Sequence, residues 1–144
     1  MSAIIRVKCL RPGARLPFRA TPHASGFDLY ASLEDGEAII GQHPVLIPTG
    51  IAIETPPGYD VQVRPRSGLA RLGVLCTYGT IDADYRGELM VTMYTMSLDI
   101  EHVIRDGDRI AQLVVGRLAD VDFAEAEELG ATVRGEGGHG STGR

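Results

Sequence analysis

Short apolar runs, each closed by a turn signal, recur along this chain so regularly that most folds are excluded. Candidate strands are Ile4–Lys8, Phe27–Ala31, Val45–Ile47, Ile51–Glu54, Asp60–Arg64 and Leu89–Tyr94, followed by Leu98–Ile104 and Arg109–Val115. Between them fall Pro12-Gly13, Asp35-Gly36, Pro48-Thr49-Gly50 and Pro56-Pro57-Gly58-Tyr59. Proline presets φ and glycine supplies the left-handed region, so such clusters end strands rather than continue them. Eight or more short strands at this spacing predict an all-β sandwich or jelly roll, not βαβ units. One helical turn fits, with Ser67 as its cap, Leu69–Leu72 as its body and Gly73 as its end. Ala124–Leu129 has helix formers but no clear apolar stripe, and reads as a solvated acidic connector.

Composition narrows the function. A chain of 144 residues is one ordinary domain. Its net charge of −5 argues against a nucleic-acid or anionic-membrane footprint, so an anionic ligand must be caught by local arginines and backbone amides. Cys9 and Cys76 lie far apart without CxxC spacing, which favours reduced thiols over a disulfide framework or zinc site. No run approaches 18 apolar residues, and Arg6, Lys8 and Arg11 interrupt the N-terminal apolar stretch. The expectation is a soluble, cytoplasmic protein without a membrane or nucleic-acid partner. A single domain over residues 1–133 is expected, followed by a mobile glycine-rich arm over 134–144.

Four segments carry chemistry. Gly79-Thr-Ile-Asp-Ala-Asp-Tyr-Arg-Gly-Glu88 sets a carboxylate, a phenol and a guanidinium between two glycines. It reads as a tight β-hairpin offering Asp82 as a base for water and Tyr85 as an aromatic plate. Arg64-Pro-Arg-Ser-Gly-Leu-Ala70 places two arginines before a Ser-Gly pair that opens the helical turn, an anion-binding combination. Ala24-Ser-Gly-Phe-Asp-Leu-Tyr-Ala31 holds Asp28 inside an apolar strand, where a carboxylate needs a donor network or a metal shell. The end, Arg134-Gly-Glu-Gly-Gly-His-Gly-Ser-Thr-Gly143, has glycines whose backbone N–H groups can converge on an anion, though no lysine follows as in a Walker sequence. Each segment also has a bland reading: a solvated turn, an ordinary helix cap, a hydrogen-bonded structural Asp, a loose tail. Together they describe a nucleotide-binding β protein, with hydrolysis as its chemistry.

Taken in order, these segments and Gly107-Asp-Arg-Ile-Ala-Gln112 resemble the five motifs of the trimeric dUTP pyrophosphatases (deoxyuridine triphosphatases). Leu46-Ile-Pro-Thr-Gly-Ile51 and Pro57-Gly-Tyr59 resemble that family's framework, so the likeness covers residues 4–143. It implies a jelly-roll (β-clip) subunit of a homotrimer with three shared sites. The implied reaction takes dUTP to dUMP and pyrophosphate with Mg²⁺, which keeps uracil out of DNA and supplies dUMP for thymidylate synthesis. By position, Asp82 would activate the attacking water and accept from the sugar 3′-OH, while Tyr85 would exclude a 2′-OH. Backbone groups of Thr80, Ile81 and Asp82, and those near Cys76 and Met90 on the hairpin's two strands, would pair with uracil. Arg66, Ser67 and Gly68 would hold phosphates, Asp28 would reach Mg²⁺ through water, and Gln112 would place the nucleophile or the α-phosphate. Arg134, His139, Gly140 and Ser141, lent by another subunit, would close the site, with His139 stacked on the base.

This chain departs from the family at two places. His139 stands where Phe is usual, giving less stacking area and a titratable ring. The lead-in Cys76-Thr-Tyr78 is short, lacks the Asn of many bacterial members, and carries a bulky Tyr78. A dCTP deaminase-like enzyme of the same fold is the alternative, but such enzymes lack the Tyr85-type gate and the glycine-rich arm. A non-catalytic nucleotide-binding regulator would not need Asp82. A carbohydrate-binding β-sandwich would explain the strands but none of the anion clusters.

Overall fold

The computed structural model describes residues 2–143; Met1 and Arg144, the outer ends of the expected domain and arm, lie outside the described residues. Eleven strands and one short helix follow one another as β1 (Arg6–Cys9), β2 (Gly26–Tyr30), β3 (Glu37–Ile40), β4 (Val45–Pro48), β5 (Ile51–Glu54), β6 (Tyr59–Arg64), α1 (Ser67–Arg71), β7 (Val74–Cys76), β8 (Gly79–Ile81), β9 (Met90–Thr95), β10 (His102–Arg105) and β11 (Arg109–Arg117). Every strand pair is antiparallel. The strands form a four-stranded sheet β2-β11-β6-β8, a three-stranded sheet β4-β9-β7, and the two-stranded pairs β1-β5 and β10-β3. This is the expected all-β jelly roll.

Period-two patterning puts Leu29, Val61, Val63, Ala111 and Leu113 on the inner face of the larger sheet, and Ile47, Val91 and Met93 on that of the smaller. Ile40, Ile51, Ile104 and Ile110 complete one core between them. Buried Thr49 and Thr95 satisfy their hydroxyls locally: Thr49 Oγ1 donates to the Leu89 carbonyl (2.6 Å), and Thr95 Oγ1 lies 2.9 Å from the Ile100 carbonyl. In the Pro48-Thr49-Gly50 turn glycine is required twice over. Its φ is 72°, and an added Cβ would sit 2.8 Å from Ser32 Oγ and 2.9 Å from the Ala14 Cβ.

The structure corrects several expectations. Leu98–Ile104 is not one strand: Ile100 N–H donates to the Ser97 carbonyl (3.3 Å), closing a turn, and β10 starts only at His102. Ser67 does not cap α1; Arg66 occupies that position in extended geometry, with no side-chain cap, and Ser67 is the first helical residue. Gly79–Glu88 is not a tight hairpin. β8 pairs with β6 in one sheet and β9 with β4 and β7 in the other, so the segment passes between sheets. Strands β3, β7 and β8, only three or four residues long, carry too little pattern to be foreseen.

Candidate active site

Two functional regions emerge, at opposite ends of β6. The first is a polar row on the outer face of the large sheet. Register places Gln112 opposite both Asp28 on β2 and Arg64 on β6, so the three side chains share a face away from Leu113 and Val63. The Gln112 amide donates to the Pro65 carbonyl (2.9 Å) and lies across Gly26, where an added Cβ would clash with its Oε1. Asp28, largely buried, faces two guanidinium groups: Arg66 Nε at 3.5 Å and Arg109 Nη1 at 3.7 Å. Arg66 also donates to the Arg109 carbonyl (3.2 Å), which orients it over the row. Arg64, Arg66, Ser67, Cys76, Tyr78, Tyr94 and Gln112 are among the residues lining a cavity of about 560 Å³ beside this row. Burial pushes the Cys76 thiol up to about 11, so it is a neutral packing group, not a nucleophile.

Those ion pairs decide what Asp28 can offer. Charge-assisted hydrogen bonds fall near 2.7–2.9 Å, so contacts at 3.5 and 3.7 Å leave carboxylate lone pairs for water. No cluster of three or more His, Cys, Asp or Glu exists among the described residues. A dedicated protein cage for a metal is therefore not built here. A single carboxylate with free lone pairs could reach a hydrated cation only through water.

The second region is the passage between sheets. Thr77 N–H donates to the Thr92 carbonyl (3.0 Å), the last link between the two flanking strands before they part. β8 is the edge of its sheet, so alternate backbone groups of Gly79–Ile81 point outward without a strand partner. On β9, the β7 register ends at the Cys76↔Met93 pair, so the side of Met90 away from β4 is also without a strand neighbour. Such unpaired backbone edges suit the edge of a flat polar ring. A turn follows, closed by Tyr85 N–H donating to the Asp82 carbonyl (3.0 Å), with Asp82 exposed and the Tyr85 side chain 45% exposed. Arg86 braces the turn by donating to the Ala83 (2.6 Å) and Tyr85 (3.1 Å) carbonyls.

Within one chain these regions do not meet. The Val61↔Ile81 pair sets Asp82 level with Asp60 near the start of β6, whereas Arg66 follows its end, roughly 20 Å away at about 3.3 Å per strand residue. Arg66, Ser67, Cys76 and Gln112 share one cavity, with Gly68 beside it in α1, while Thr80, Ile81, Asp82, Tyr85 and Met90 gather at the passage. Arg134, His139, Gly140 and Ser141 stand apart in the terminal segment, around a separate cavity of about 550 Å³. There Arg134 Nε donates to the Gly137 carbonyl (2.7 Å), and His139 takes a left-handed φ of 50°. Residues 118–143 form no helix or strand, and Phe123 and Val133 are fully exposed. Arg109, Arg11 and Glu88 went unforeseen as site-building residues. Arg109 lay inside the quoted Gly107–Gln112 segment, whereas Arg11 sits in a turn whose partner only the fold reveals.

Comparison with known proteins identifies the family. The profile of the dUTPase family matches residues 13–143. The deoxyuridine 5′-triphosphate nucleotidohydrolase of Hydrogenobaculum sp. (strain Y04AAS1) is 51% identical over 140 residues, spanning 95% of this chain and 96% of that protein. The enzyme of the same name from Chlamydia trachomatis serovar L2 is 48% identical over 138 residues, spanning 93% and 94%. Among solved structures, the Staphylococcus bacteriophage 80alpha dUTPase with dUPNHPP superposes with a TM-score of 0.83 at 25% identity, over 99% of this chain and 100% of that one. With a matching profile over nearly its whole length and relatives at about half identity, this chain belongs to the dUTPase family.

Proposed function

We propose that this chain hydrolyses dUTP to dUMP and pyrophosphate in sites assembled from more than one copy. The observation that carries this is the division of the site: Asp82, Tyr85 and the unpaired β8 edge at one end of β6, Arg66, Ser67, Gln112 and Asp28 at the other. A second copy can bring its anion cavity to the first copy's passage, and the exposed segment 118–143 can reach a further one. A homotrimer with three shared sites, each closed by an arm of residues 134–144, accounts for both features.

In this reading the backbone of Thr80 and Ile81, with groups near Met90, pairs with uracil, while Cys76, paired to Met93 and lining the anion cavity, does not take the role expected of it. Tyr85 lies beneath the deoxyribose and closes the space a 2′-OH would need. Asp82 takes a proton from the water that attacks the α-phosphorus; the bond to the bridging oxygen breaks and pyrophosphate leaves. Gln112, fixed by Pro65, sets the α-phosphate against that water. Arg66, Ser67 and Gly68 hold phosphate oxygens, as do Arg134, Gly140 and Ser141 from the arm, while His139 covers the base. Asp28 would hold hydrated Mg²⁺ through water, and the ion would supply charge neutralisation on the triphosphate. The division of labour suits phosphoryl transfer, which needs positioning and charge neutralisation more than covalent chemistry. Pyrophosphate release from each nucleoside triphosphate in turn tests the reading: dUTP alone should turn over rapidly, and ammonia release from dCTP should be absent.

A further inference from the structure

The segment that carries Asp82 and Tyr85 ends in a clamp. Arg11, in the loop after β1, grips the Glu88 carboxylate with both ends of its fork: Nη1 to Oε1 at 2.7 Å and Nη2 to Oε2 at 2.9 Å. Both side chains are mostly buried. The remaining directions are also held. Arg11 Nε donates to Ser32 Oγ (3.4 Å), and the Gly50 N–H donates to Glu88 Oε2 (3.4 Å). A planar bidentate pair fixes orientation as well as distance, which a lysine at position 11 would not. Leu89 then locks into the core, its N–H donating to the Ile51 carbonyl (2.8 Å).

Glu88 is also what Tyr85 hangs from. The Tyr85 hydroxyl donates to the Glu88 main-chain carbonyl (2.9 Å), and its ring lies so close over Gly87 that an added Cβ there would clash with the phenol oxygen. The phenol therefore takes its position from a carbonyl whose peptide is held on one side by the Leu89 N–H on Ile51 and whose residue is held on the other by the Arg11–Glu88 pair. We infer that Arg11 is a positioning residue for substrate selection, acting through Glu88 to hold the Tyr85 ring as a rigid wall against ribose. This rests on the assignment of Tyr85 to the sugar. Steric exclusion of one hydroxyl works only if the wall cannot yield, so slack in Tyr85 would raise UTP turnover relative to dUTP. A merely structural pair would lower both substrates together.

The experiment measures kcat/KM for dUTP and UTP in Arg11→Met, Arg11→Lys, Glu88→Gln, Tyr85→Phe, Tyr85→Ala and the double variant Arg11→Met/Tyr85→Phe, at a temperature where each is folded by circular dichroism. The expected result is a fall of about 10-fold in the dUTP-to-UTP ratio for Arg11→Met, the scale on which pocket shape discriminates one small group. Arg11→Lys should fall between, and Tyr85→Phe, which removes the tether, should lower the ratio similarly. The double variant should lose no more than either single one. If Arg11→Met does not fold, Glu88→Gln, which keeps size and neutral hydrogen bonds, carries the same comparison. An unchanged ratio in Arg11→Met or Glu88→Gln, with Tyr85→Ala having lost it, overturns the inference alone. An unchanged ratio in Tyr85→Ala overturns both the sugar assignment and the inference built on it.

Discussion

Asp82 sits exposed at the mouth of a turn held by main-chain hydrogen bonds and by Arg86, so its carboxylate can change without disturbing what shapes the loop. Asp82→Asn should therefore fold and bind a dUTP analogue like the wild type, while turnover drops by at least ~10²-fold, the usual scale for a lost general base. Near-normal turnover would remove Asp82 from the chemistry. His139 calls for a different measurement. It occupies a left-handed backbone position among glycines, a region that histidine visits more readily than most residues. If its ring covers uracil, His139→Phe should give an equal or higher kcat/KM for dUTP at pH 8, because phenyl offers more stacking surface. A loss would point instead to a polar contact made by the imidazole.

At the scale of elements, the Arg11–Glu88 clamp has a signature in acid. The hydrogen bonds from Arg11 hold the Glu88 carboxyl below its ordinary value. A carboxylate whose pKa is lowered on folding adds stability above its unfolded value, near 4.3, and that contribution is lost as pH falls through the folded value. Glu88→Gln should cost about 1.5–3 kcal/mol at pH 7, the range for hydrogen bonds to a charged group. Between pH 7 and about 3 the wild type should then lose more stability than the variant; urea midpoints at the two pH values decide it. The terminal segment makes the opposite prediction. Among the described residues it joins no sheet, and residues 134–143 hydrogen-bond only to one another and to Thr132. Deleting everything after Val133 should leave the oligomer and the melting temperature intact while catalysis becomes poor. Full activity would make the arm idle, and dissociation would make it a strap.

For the whole molecule, the distance between Asp82 and Arg66 along β6 turns into a mixing experiment. Asp82→Asn and Arg66→Ala chains should each be poorly active alone. If sites are shared, co-refolding them regenerates sites that take Asp82 from one chain and Arg66 from the other, and activity returns in part. If a single chain built its own site, the mixture would show only the sum of two poor enzymes. Size-exclusion chromatography with light scattering gives the copy number independently.

The sequence by itself determined the class of fold and the chemical inventory. Pro-Gly and Asp-Gly punctuation between short apolar runs made strands the only economical solution, and period two chose which of Val61, Val63 and Leu113 face inward. The quoted segments already held the proposed side-chain ligand groups, because glycine, arginine, hydroxyl and carboxylate reveal their chemistry by type and order. Tertiary structure alone decided how that inventory is divided. Whether Gly79–Glu88 folds on itself or crosses between sheets depends on β8 pairing with β6 while β9 pairs with β4 and β7 in the other sheet, and three-residue strands carry no pattern of their own. Asp28 could have sought a metal cage or a donor network; only the antiparallel register of β2 with β11 brings Arg109 and Gln112 to its side. Arg11 meets Glu88 across 77 positions of chain, a contact no local periodicity encodes, because it exists only once the core has closed around Leu89.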